Sequence, residues 1–199
     1  MPDTAQRPNL DRRVIINPYR FPKTYTLEKS WEDGSISYAF ASNNYDCFSS
    51  AFTVGAYAIT KVSVELLEFA GNPTGPIKCW IYSQSAGNET HTNNEPDDRI
   101  LEADNTIEAG DLTGSAAWYD FFFTGMAVQT SGHILHVVLR HEDGDNTDRI
   151  AWLYDSTITT DHGFERRNAT GDPNATNDES NWVNVDLNAG GNCRIYSSP

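Results

Sequence analysis

Long apolar runs are missing from this chain. No window approaches 18 consecutive apolar residues, so no ordinary membrane-spanning helix is expected. Cysteine is scarce. Cys47, Cys79 and Cys193 are odd in number and widely spaced, which fits neither a disulfide framework nor a zinc ribbon. Cys79 sits in an apolar run and reads as a small buried hydrophobe. Cys47 and Cys193 lie near opposite ends of the β-rich region. They leave room for one bridge if its first and last strands are neighbours, whereas a reducing cytoplasm would keep all three as thiols. Basic residues are also few: 14 Lys and Arg stand against 28 Asp and Glu, giving a net charge of -14 and a pI near 4.5. Such a body repels phosphate backbones, so no nucleic-acid partner is expected. The N-terminus has no apolar core of a secretory signal, and the expectation is assembly in a cytoplasm.

Catalytic signatures are absent as well. There is no Gly-x-Ser-x-Gly elbow, phosphate loop, dinucleotide fingerprint or His-Glu-x-x-His. Carboxylates are plentiful enough for a glycosidase pair, but nothing singles out two of them, and Glu65 and Glu68 fall on opposite faces of one strand. A non-enzymatic protein is the expectation, and a glycan-cleaving enzyme the remote rival. Helical periodicity is missing too: no segment of ten or more residues carries a 3.6-residue apolar stripe.

What the chain does have is β pattern. Ile59 to Tyr82 reads as strand, tight turn and strand: ITKVSVELLEFA, GNPTG, PIKCWIYS. Val62, Val64 and Leu66 share one parity and Lys61, Ser63 and Glu65 the other, as expected when one face is buried and one is wet. Strands are expected near 36–41, 46–54, 58–69, 77–83, 99–103, 118–124, 133–141, 149–154, 163–167, 181–186 and 192–197. The fold class is therefore all-β, an antiparallel β-sandwich over residues 25–199, and 199 residues suffice for one such domain. Two long polar loops, 83–98 and 168–181, are places where binding commonly resides. They carry the sequons Asn88, Asn168 and Asn174, read as composition without a secretory signal.

Residues 1–24 read as an extended N-terminal arm, because Pro2, Pro8, Pro18 and Pro22 would interrupt any helix. The first 29 residues hold six basic residues against Asp3, Asp11 and Glu28, a net +3; eight basic and 25 acidic residues remain, so the body carries -17. Opposite charges suggest that the two ends meet different partners. Arg12, Arg13, Ile15, Tyr19, Arg20 and Phe21 are the candidate anchoring residues. The arm has no core of its own and must lie on the body, lie on a partner or stay unstructured.

Aromatics supply the candidate binding site. Trp80 and Tyr82 share a face of one strand, and Trp152 and Tyr154 a face of another. They are either core or a platform on which sugar C–H faces stack. Asp143, Asp145 and Asp148 make the 143–148 turn oxygen-dense enough to suggest calcium. It is not an EF-hand: the sixth position is Asp148 rather than Gly, and the twelfth is Tyr154 rather than Glu. His133, His136 and His141 do not suit one zinc, since a strand spreads the outer two by roughly 26 Å.

Taken in order, several landmarks are suggestive. They are Gly71-Asn72-Pro73-Thr74-Gly75, Ile77 to Tyr82, Trp118-Tyr119-Asp120-Phe121, Ser131 to Leu139, Ile150-Ala151-Trp152, Gly163-Phe164, Trp182, Asp186-Leu187 and Arg194-Ile195-Tyr196. Over about residues 45–197 this resembles the jelly-roll β-sandwich modules of bacteriophage virion proteins and of carbohydrate-binding-module-like extracellular proteins. RRVIINPYRF is similar to short N-terminal segments of phage structural proteins. The resemblance implies a decoration or tail protein on a virion, assembled in the host cytoplasm. Its arm would bind capsid or tail proteins, and its acidic sandwich would face outward, as a homo-oligomer able to bind host surface polysaccharide. The alternative is a stand-alone, extracellular, calcium-stabilised carbohydrate-binding module. No membrane partner is expected on either reading.

Overall fold

The computed structural model describes residues 24–40, 45–84, 96–125, 131–145, 147–155, 164–168, 182–186 and 190–198. The arm residues Arg12, Arg13, Ile15, Tyr19, Arg20 and Phe21 lie outside them, as do Asn88 and Asn174. β-Branched and aromatic residues favour a pleated, half-buried surface, and the regular structure among the described residues is almost all strand. In chain order these are β1 (Thr26–Trp31), β2 (Ile36–Ala39), β3 (Tyr45–Thr53), β4 (Ile59–Ala70), β5 (Pro76–Gln84), β6 (Pro96–Glu102) and β7 (Ile107–Glu108). After one 3-10 turn, Ala109–Asp111, come β8 (Ala117–Phe122), β9 (Ile134–His141), β10 (Arg149–Asp155), β11 (Phe164–Asn168), β12 (Trp182–Asp186), β13 (Gly190–Gly191) and β14 (Cys193–Ser197).

Every pairing is antiparallel, and the strands divide into two seven-stranded sheets. The first runs β1-β14-β4-β10-β13, with β2 added on β10 and β8 on β4. The second runs β12-β11-β3-β9-β5-β6, with β7 added on β5. Alternation sends Val62, Val64 and Leu66 of β4 inward to meet Phe48, Phe52, Ile77, Cys79, Ile81, Leu135, Val137 and Leu139 of the second sheet. Phe40 and Phe48 pack edge to face at 4.5 Å between ring centroids.

The eleven expected strands all form, with ends displaced by a few residues. The sequence reading missed β1, β7 and β13. β1 is TLEKSW, an edge strand without β-branched runs, and its partner β14 lies 167 residues further along. β13 is two glycines, Gly190 and Gly191.

The chain at 190–197 first pairs with β10 and then crosses to β4. Asn192 sits at that fork. Its backbone N–H donates to Leu153 O (2.7 Å), and its carbonyl accepts from Glu65 N (3.2 Å) and the Trp152 indole (2.9 Å). Its side-chain amide acts as a second peptide group toward Gly34. Gly34 N donates to Asn192 Oδ1 (3.1 Å), and Asn192 Nδ2 donates to Gly34 O (2.9 Å) and to Glu65 Oε2 (2.7 Å). Gly34 must be glycine, because a Cβ there would overlap the Tyr154 carbonyl. One fully buried asparagine thus holds open a split that neither strand could satisfy alone.

Candidate functional site on the outer face of the first sheet

Three strands distant in sequence place their wet faces side by side. β4 pairs with β8 along one edge and with β14 along the other, and β1 flanks β14. Register then builds two rungs across four strands. One reads Leu27, Tyr196, Lys61, Phe122; the next reads Ser30, Arg194, Ser63, Asp120. Glu65 and Trp118 form a shorter third.

Rings and charges interlock on this face. The Lys61 ammonium lies 3.9 Å from the Tyr196 ring centroid, 5.0 Å from that of Tyr25 and 3.3 Å from Asp120 Oδ2. Tyr25 packs against both Phe122 and Tyr196, at 6.2 and 6.4 Å. The Arg194 guanidinium stacks 3.8 Å from the Trp118 ring centroid while gripping Glu32 with two bonds, 2.9 and 2.6 Å. Asp120 also accepts from the Ser63 hydroxyl. Asn105 closes the outer edge of β8, donating to Asp120 O and accepting from Phe122 N.

The electrostatics are local. The hydrogen bond from Arg194 holds the Glu32 carboxyl below its ordinary range, and Glu32 in turn raises the guanidinium. Glu32 is thus an acceptor at neutral pH and not a proton donor. Leu27 (49 % exposed) and Phe122 (38 %) lie open at the two ends of their rung. The face offers ring edges and faces beside paired donors and acceptors, which suits a ligand with apolar C–H faces and hydroxyls.

The four aromatics expected to bind glycan do not form one surface. Trp80 and Tyr82 are on β5 in the second sheet, Trp152 and Tyr154 on β10 in the first. Trp152 turns into the core between the sheets, fully buried against Gly191, with its N–H spent on Asn192 O. Tyr154 packs half-buried on that same core. Trp80 is also fully buried, and Tyr82 is 6 % exposed. No sugar can stack on Trp80 or Trp152 in this fold.

The acidic turn is held by its own hydrogen bonds. Asp145 Oδ1 accepts from Thr147 N, Thr147 Oγ1 and Asp148 N at 2.6–2.7 Å, which holds its carboxyl below the ordinary range, chiefly through the Thr147 hydroxyl. Asp148 Oδ1 accepts from Asn72 N at 2.8 Å, pressed against Gly71, which adopts φ +75°. Asp143 packs on Gly75. Asp145 and Asp148 therefore brace one turn against another, and among the described residues no three His, Cys, Asp or Glu side chains are grouped to hold a metal. The histidines are dispersed as well: His133 is exposed, His136 meets Ser49 at 2.8 Å, and His141 meets Thr74 O at 2.8 Å. No disulfide forms among the three cysteines. Cys47 faces away from the core that holds Cys79 and Cys193, so a Cys47–Cys193 bridge is blocked by the sheet itself.

No protein-family model matches this chain, and no curated protein matches it.

Sequence reasoning had Lys61, Ser63 and Glu65 on a wet face and quoted Trp118, Asp120, Arg194 and Tyr196 as landmarks. It could not join them, because β8 and β14 reach β4 from positions 57 and 131 residues away along their registers.

Proposed function

We propose that this chain is a non-enzymatic structural or decoration protein of a phage-like particle. On this reading its acidic sandwich faces outward and binds host surface polysaccharide. One observation carries the binding part: the rings of Trp118, Phe122, Tyr25 and Tyr196 are interleaved with Lys61, Arg194, Asp120 and Glu32 on a half-open sheet face. The particle part rests on the jelly-roll resemblance and on the charge contrast between a +3 arm and a -17 body. Arg12, Arg13 and Arg20 supply the contacts of the arm to capsid or tail proteins.

The test is affinity electrophoresis of the full chain through gels cast with bacterial surface polysaccharides. Retardation is expected in at least one of them. Trp118→Ala and Phe122→Ala should each remove it while leaving the melting temperature within about 4 °C of the parent. Retardation that survives both substitutions sinks this site, and no retardation in any gel sinks the glycan reading.

A further inference from the structure

The outer face of the first sheet carries two cations, Lys61 and Arg194, and each is already paired. The Lys61 ammonium lies 3.9 and 5.0 Å from the Tyr196 and Tyr25 ring centroids and 3.3 Å from Asp120 Oδ2. The Arg194 guanidinium lies 3.8 Å from the Trp118 ring centroid, and its Nε and Nη2 donate to the two oxygens of Glu32 at 2.9 and 2.6 Å. In each pair the carboxylate is the more open member. The Lys61 side chain is 13 % exposed against 42 % for Asp120, and that of Arg194 29 % against 38 % for Glu32. A ligand arriving from solvent therefore meets the acids before the bases.

A third carboxylate shares the face. Glu65 is the register partner of Trp118, and its Oε2 accepts from the Asn192 amide at 2.7 Å. Two bases thus stand against three acids, on a chain whose net charge is -14. Glu32 stays ionised, because the bond from Arg194 holds its carboxyl below the ordinary range. A carboxylate or phosphate on a polysaccharide would have to displace Asp120 from Lys61 or Glu32 from Arg194. The displaced acid would stay tethered beside the newcomer, and like charges brought together are costly. An uncharged sugar displaces nothing. Its hydroxyls donate to the solvent-facing oxygens of Asp120 and Glu32, and its C–H faces rest on Trp118 and Phe122.

We propose that Asp120 and Glu32 act as a charge filter. By occupying Lys61 and Arg194 from the solvent side, they restrict this face to uncharged polysaccharides and turn away those that carry uronic acid, sialic acid or phosphate groups. The filter rests on the glycan reading of the face and names the class of glycan it takes. Asp120 and Glu32 are then its specificity-determining residues, whereas Trp118 and Phe122 supply the stacking.

The experiment is affinity electrophoresis of the full chain through neutral and acidic bacterial surface polysaccharides, with mobility taken relative to a polymer-free gel. Each neutral polymer that retards the protein is then oxidised at its primary hydroxyls, which places carboxylates on the same backbone. Oxidation should weaken retardation about tenfold or more. The double variant Asp120→Asn, Glu32→Gln should bind the oxidised polymer about threefold tighter or more than the parent does, with a melting temperature within about 4 °C of it. If the double variant does not fold, Asp120→Asn alone carries the same test. An oxidised polymer that retards the parent as strongly as the neutral one overturns the filter, and so does retardation by acidic polysaccharides alone; both leave the glycan reading standing. A loss on oxidation that the variant does not relieve belongs to the missing hydroxyls and overturns the filter as well. Retardation by no polymer removes the glycan reading, and the filter with it.

Discussion

The two sheets of this protein use their outward positions in opposite ways. On the first, Lys61, Asp120, Arg194 and Trp118 form a half-open surface in which each charge has a partner, with Ser63 buried beneath Asp120. On the second, Ser49, Trp80, His136 and Val138 occupy equivalent outward positions and are sealed. Alternation alone predicts the same environment for both. Burial rather than parity separates them, so a tryptophan at an outward strand position is a binding candidate on one sheet and a core residue on the other. Exposed pairs contribute little to stability and are available for recognition, whereas a buried outer face is a second core with the costs of one.

The widest separation should come from the two tryptophans. Trp80→Ala should cost about 3–5 kcal/mol, because it empties a fully enclosed site. Trp118→Ala should cost less than about 1 kcal/mol, because it removes a partly exposed cation–π stack. Urea unfolding of both variants measures the gap. Equal losses would mean that the two faces are not different in kind.

The outward serines repeat the comparison on a smaller scale. Ser49 is buried and bonds the buried His136 ring at 2.8 Å. Ser49→Ala removes that bond from a buried ring and should cost about 1–3 kcal/mol. Ser63 is nearly as buried, at 2 % exposure, but its partner differs: Asp120 has a side chain 42 % exposed that can turn to water. Ser63→Ala should therefore cost about half as much or less. Thermal unfolding distinguishes them, and a larger loss at Ser63 would show that the exposure of the partner does not set the cost.

Much of the fold was legible because it is local. The parity of Val62, Val64 and Leu66 against Lys61, Ser63 and Glu65 identified both strand and buried face; it holds in β4 except at Ser63, which is buried at 2 % exposure beneath Asp120. The site was not legible, since it depends on which strands meet. Trp152 looks outward-capable from its strand, and only the inter-sheet geometry turns it onto Gly191 and Asn192. Asn192 carries no signal in NAGGNCRIY beyond a turn-prone composition, yet it holds the fork between β10 and β4. In the Asp143 to Asp148 turn, oxygen density suggested a cation, and the described bonds of Asp145 and Asp148 run to backbone N–H groups within the turn and across to Asn72.

The smallest expected effect tests whether the first sheet's face is held by ions at all. Glu32 accepts two bonds from Arg194, which stacks on Trp118, and the bond from Arg194 is the main cause of its lowered carboxyl. A carboxyl depressed in the folded state adds stability above the unfolded value near ~4.3, and that stability fades as pH falls through the lower folded value. The contribution stays below about 1 kcal/mol, because Glu32 is exposed and screened by salt. Protonation should loosen Arg194 from the Trp118 ring before the fold is lost, so acid titration should change Trp118 emission with a midpoint below that of an ordinary glutamate. Glu32→Gln should abolish the step, and 1 M salt should weaken it by screening, with the Debye length cut to about 3 Å. An unchanged acid step in Glu32→Gln would show that Arg194 is held over Trp118 by packing alone, and the face would then be aromatic first and ionic second.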